Sequence, residues 1–264
     1  MPYQPRPAYP SAQHERSAQA ITHFFAGQPG VAAVLLTCSC ARGRASKDSC
    51  LDIAVVLQPE IPAERLDELR RTWEAFYQGE AVFAAQRQVG AFSQVDLDFH
   101  SGRFEAAQFT HGWTSGADAF ELEVGNLLTY SHPLWQNGDR YADLRAQWLP
   151  YYSEDLRRER LGMVLRYCRN NLAHIPLYVE RGLYFQAFKR LYCALEEFLQ
   201  ALFIARRTYP IAYDKWIHEQ VVEILELPAL YPRLVGLLET HHLESRELAE
   251  KAVELEELIG QYIG

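Results

Sequence analysis

Two short apolar runs, Val31-Ala-Ala-Val-Leu-Leu-Thr37 and Leu51-Asp-Ile-Ala-Val-Val-Leu57, constrain this chain more than any other feature. Each is too short for a buried helix, is rich in β-branched residues and is bounded by turn residues. They therefore predict central strands covered on both faces. Helical patterns flank them. Ser11 to Phe25 puts Ala18, Ile21, Phe24 and Phe25 on one side. Pro62 opens a second amphipathic helix to about Tyr77, with Leu66, Leu69, Trp73 and Phe76 as its inner stripe. Ala81 to Val89 reads as a further strand, and Phe92 to His100 as another.

The text changes after about residue 140. Tyr151–Val179, Phe185–Ala205, Tyr213–Leu225, Leu230–Thr240 and Ser245–Ile259 all carry helical spacing. The run from Phe185 is apolar over more than half its circumference, as suits the centre of a bundle. The expected fold class is α+β, a mixed sheet with flanking helices followed by an all-α bundle. The expected divisions are a flexible N-terminal tail (1–10), a sheet domain (11–130) and a helical domain (131–264).

A chain of 264 residues buries enough surface to fold without a disulfide or metal staple. Its 26 basic and 34 acidic residues leave a net charge of −8, and the basic ones are scattered. Extended nucleic-acid binding, which rests on phosphate neutralisation, is therefore not expected. No apolar run reaches membrane-spanning length and the start lacks a signal-peptide pattern, so a cytoplasmic location with five reduced cysteines is expected. Homo-oligomerisation stays open.

The chemistry is concentrated in Cys38-Ser-Cys-Ala-Arg-Gly-Arg-Ala-Ser-Lys-Asp-Ser-Cys-Leu-Asp52, between the two strands. Ser39, Ala41, Arg42, Gly43, Ser49 and Asp52 fall on the spacing of Gly-Ser, Ala-Arg-Gly and Ser-Asp-x-Asp. This resembles the signature of the nucleotidyltransferase superfamily, the DNA polymerase β-like fold, and its antibiotic-modifying members with a helical C-terminal domain. The resemblance implies Mg²⁺ as cofactor, a nucleoside triphosphate as substrate and a small hydroxyl-bearing acceptor. Mg²⁺ prefers hard oxygen ligands, and two Asp separated by one strand residue point the same way. Ser39, Arg42, Gly43 and Ser49 would then serve the nucleotide, while Asp52 with Asp96 or Asp98 would hold metal and drive catalysis. Those last two lie on Val95-Asp-Leu-Asp-Phe99, where alternation sets Gln94, Asp96, Asp98 and His100 opposite Val95, Leu97 and Phe99.

Two positions depart from the pattern: Cys38 stands at its glycine and Cys50 at its first aspartate. A thiol is a soft ligand, poorly suited to Mg²⁺. The alternative is a catalytically degenerate member that binds a nucleotide or a protein. A further alternative, read from Arg169-Asn-x-x-x-His174, is a HEPN-type ribonuclease. Glu121 and Glu123 read as surface glutamates, with a general-base role as the alternative.

Overall fold

A computed structural model describes residue 3, residues 5–103 and residues 113–263. The order of elements is α1 (Ala12–Phe25), β1 (Val31–Leu36), α2 (Cys38–Ala41), β2 (Leu51–Leu57), α3 (Ala63–Gly79), α4 (Ala81–Gln86) and β3 (Val95–His100). There follow a π-helical segment Phe120–Gly125, α5 (Asn126–Tyr130), β4 (His132–Gln136), α6 (Arg140–Trp148), α7 (Glu154–Glu180) and α8 (Tyr184–Ala205). A second π-helical segment Glu219–Ile224, α9 (Leu230–Leu238) and α10 (Glu247–Tyr262) complete the chain. Among the described residues one compact unit comprises 5–103 and 126–149, and the other comprises Tyr3, 113–125 and 150–263. The architecture is α+β, as expected.

The first unit holds a four-stranded mixed sheet of order β3-β2-β1-β4. β1 pairs antiparallel with both β2 and β4, and β2 pairs parallel with β3. The two apolar runs are thus the interior strands, and every residue of β1 is buried. β4 adds residues 132–136 to the sheet, across the single division expected at residue 130. The sheet packs on an aromatic cluster of Phe24, Phe25, Trp73, Phe76, Tyr77 and Phe83, with neighbouring ring centroids 4.5 to 6.1 Å apart. That spacing suits offset and edge-to-face contacts.

Ala81–Gln86 is helical, not the strand expected from 81 to 89. Its alanines favour helix, and one turn suffices to bury Phe83 completely in the aromatic cluster. Gln13 Nε2 donates to Val82 O at 2.8 Å, fastening this turn to α1. β3 begins at Val95, later than Phe92, because the approach to it wraps Asp48: Ala91 N–H donates to Asp48 Oδ1 at 3.0 Å. Nor do residues 6–8 run free as a tail; Ala8 N–H donates to Cys40 O at 3.0 Å.

In the second unit α7 and α8 form the centre, with Cys168, Leu172, Ile175, Leu191, Phe198 and Leu202 in one core. Ser153 caps α7 through its hydroxyl and Leu156 N–H. The helix expected from Tyr213 starts late. Buried Gln220 instead holds the loop before it, accepting from Ile211 N–H at 2.6 Å and donating to Ala212 O at 2.7 Å. Among the described residues no helix is long and apolar enough to cross a membrane.

Leu36 lies fully buried at the end of β1, beside the turn that follows. Leu36→Ala should lower the unfolding free energy by about 3 kcal/mol, read by urea denaturation. A loss below about 1 kcal/mol would contradict its place in the core.

Candidate functional site

The site begins where β1 ends. Thr37 is still extended and its N–H donates to Asp52 O at 3.0 Å, so the turn starts alongside β2. Cys38 then takes φ = +52°, a left-handed conformation that favours glycine. The signature that the sequence resembles has glycine at this position, and here a cysteine adopts the left-handed conformation. One helical turn follows and closes through Arg44 N–H to Ser39 O at 2.8 Å. Gly43 has φ = +68°, and a Cβ there would sit 2.6 Å from Arg6 O.

These contacts separate the four residues expected at the nucleotide. Gly43 is required by the turn itself. Ser49 Oγ accepts from Ser46 N–H at 2.9 Å, and Ser49 O faces His14 Nε2 at 3.1 Å, so Ser49 organises the loop into β2. Ser39 and Arg42 are both buried, at 8% and 5% exposure.

The parallel register sets Asp52 beside Asp96 and Ala54 beside Asp98. Strand alternation turns Cys50 to the same side as Asp52. One ligand atom each from Cys50, Asp52 and Asp96 therefore meets within 4.8 Å of the others. Asp98 falls outside this trio, one pleat further along. The Cys50 thiol donates to both oxygens of Asp52, at 3.3 and 3.2 Å. Burial pushes the thiol's pKa well up, and the Asp52 and Asp96 carboxylates push it further, so the proton stays on sulfur. Cys40, beneath the turn, is raised to about 12 by burial, then by Asp52 and Cys38.

The helical unit contains polar clusters of its own. Arg169 Nε pairs with Glu256 at 3.0 Å, and His174 Nδ1 lies 2.7 Å from Asn170 O, one turn back on α7. Neither contact joins Arg169 to His174. Glu121, expected on the surface, is fully buried. It accepts hydrogen bonds from the hydroxyls of Tyr151, Tyr152 and Tyr213, beside a buried Arg160–Asp118 pair at 2.9 Å. A second buried chain runs Arg190–Asn171–Glu197–Ser115–Gln200 and borders a cavity of about 320 Å³. Nothing in the helical periodicity separates these buried polar groups from solvated ones. The available signal is position: Arg190, Glu197 and Gln200 interrupt the long, largely apolar helix α8.

Cys38→Gly should leave the fold intact and raise stability by about 1 kcal/mol, while Gly43→Ala should cost more than about 1 kcal/mol, both by thermal unfolding. Burial raises Glu121 from 4.5 to about 7, with Asp118 adding to it and the tyrosine hydrogen bonds opposing it. A folded pKa above the unfolded one stabilises fully below about pH 4.5, and this contribution is lost as pH rises through about 7. Glu121→Gln should remove a pH dependence on the order of 3 kcal/mol across that interval. An unchanged pH profile in the variant would contradict the assignment.

No protein-family model matches the chain, and no curated protein matches it. Among solved structures, it is similar to a nucleotidyltransferase-like protein from Exiguobacterium sibiricum 255-15. The two share 14% identity with a TM-score of 0.46, over 94% of this chain and 74% of the other.

Proposed function

We propose that this chain is a nucleotide-binding member of the nucleotidyltransferase fold in which the Mg²⁺-dependent transfer step has been lost. The signature between β1 and β2 supports the nucleotide part of this reading, together with the left-handed conformation at Cys38, where that signature has glycine. The observation that carries the loss is the Cys50 thiol hydrogen-bonded to Asp52 opposite Asp96.

The chemistry of the donors decides whether the implied Mg²⁺ fits. Mg²⁺ demands near-octahedral oxygen coordination and takes one or two carboxylates with substrate phosphates. Here a protonated sulfur lies against both oxygens of one of the two available carboxylates. Asp98 is displaced along the strand, and Asp48 is committed to Ala91 N–H. The residues do not fit Mg²⁺.

Binding without metal asks less of the same residues. A triphosphate is strongly anionic, and the resemblance sets it against the turn that follows β1. Asp52 and Asp96 oppose such a ligand electrostatically unless a cation intervenes. Weak, nearly Mg²⁺-independent binding is the expected outcome.

The second reading is transfer of a nucleoside monophosphate to a small hydroxyl-bearing acceptor, favoured by the pairing of Asp52 with Asp96. Calorimetry with ATP, GTP, CTP and UTP, with and without Mg²⁺, separates the two. In the wild type Mg²⁺ should change affinity by less than about threefold, and Cys50→Asp should introduce a dependence of about tenfold or more. Strong Mg²⁺ dependence in the wild type, or transfer of labelled nucleotide by it, would overturn the loss of turnover. Binding of none of the four nucleotides would overturn the proposal as a whole.

A further inference from the structure

The mismatch with Mg²⁺ is itself informative, because the same three donors suit another class of ion. Cys50, the residue before β2, donates to Asp52 on that strand, and the parallel register brings Asp96 beside Asp52 from β3. The set is one sulfur and two carboxylates: Cys50 immediately precedes β2, Asp52 lies on β2 and Asp96 on β3. The three ligand atoms lie within 4.8 Å of one another, and the sulfur–Asp52 pair is already near coordination spacing. Around an ion with metal–sulfur and metal–oxygen distances of about 2.3 and 2.0 Å, neighbouring tetrahedral donors lie roughly 3.5 Å apart. The sulfur lies 3.2 and 3.3 Å from the Asp52 oxygens.

Donor type then selects the ion. Thiolate strengthens binding to borderline and soft ions and adds little for Mg²⁺ or Ca²⁺. Tetrahedral zinc accepts sulfur and carboxylate oxygen together, and three protein ligands with an open fourth position are the pattern of its reactive sites. Cys50 and Asp52 are half-buried and Asp96 is exposed, so an ion has a path from solvent.

We propose that Cys50, Asp52 and Asp96 form a mononuclear site for a thiophilic divalent ion of the zinc type, with its fourth position open to water or a phosphate oxygen. The ion takes the place of the proton between sulfur and Asp52, and that proton leaves to solvent. Sulfur at position 50, where the resembled signature has aspartate, sets this preference. This inference rests on the reading that the β2/β3 position is a degenerate metal site, and it extends that reading by naming the ion.

The test uses the full chain, stripped of metal, with no nucleotide present. A failed nucleotide titration and a failed metal titration are therefore separate results. Co²⁺ is the probe, because thiolate bound to Co²⁺ gives a near-ultraviolet charge-transfer band. The wild type should develop that band at one equivalent, Zn²⁺ should abolish it, and excess Mg²⁺ should leave it in place. Cys50→Ser should lose the band, and Asp96→Asn should keep sulfur ligation while binding Co²⁺ more than about tenfold more weakly. Asp96 is exposed, so its variant provides a test even if Cys50→Ser is unstable. Absence of the band in the wild type, a band that survives in Cys50→Ser, or unchanged affinity in Asp96→Asn would each overturn the proposal.

Discussion

Parallel pairing of β2 with β3 is the constraint on which the site depends. Its register sets Asp52 opposite Asp96, and the pleat adds Cys50 to the same face. A slip of one residue would turn every side chain of β3 to the other side of the sheet. The burial of Val95 on the inner face opposes such a slip. The apolar alternation of β3 therefore does two things at once, filling the core and aiming a carboxylate.

Sulfur at position 50 changes what that face can do. A carboxylate there would add negative charge beside Asp52 and Asp96 and would call for a hard cation. The thiol instead stays protonated and donates to Asp52, which relieves part of the repulsion in the absence of any ion. The same group offers a soft ligand once its proton is displaced. Cys38 departs in a different way. It occupies a glycine conformation at a local cost, while the turn around it keeps its hydrogen bonds.

Much of this was legible in the sequence, for physical reasons that can be named. The two interior strands announce themselves because burial on both faces demands unbroken apolar runs. The alternation of β3 and the apolar helix α8 follow from periods of 2 and 3.6. The spacing of Cys50, Asp52 and Asp96 was visible in the same way, but their meeting depends on register, which no local pattern contains. Ala81–Gln86 misled because a short apolar run fits strand or helix, and tertiary burial of Phe83 decided it. Glu121 misled more deeply. Its burial depends on three tyrosine hydroxyls that lie 30, 31 and 92 residues away. Long-range satisfaction of a buried polar group leaves no local trace.

Zinc-edge X-ray absorption on the metal-loaded full chain addresses the central claim most directly, because it counts the atoms around the ion. The account predicts one sulfur at about 2.3 Å together with oxygen neighbours at about 2.0 to 2.2 Å. A shell of oxygen and nitrogen with no sulfur would show that Cys50, Asp52 and Asp96 do not share an ion, and would contradict it.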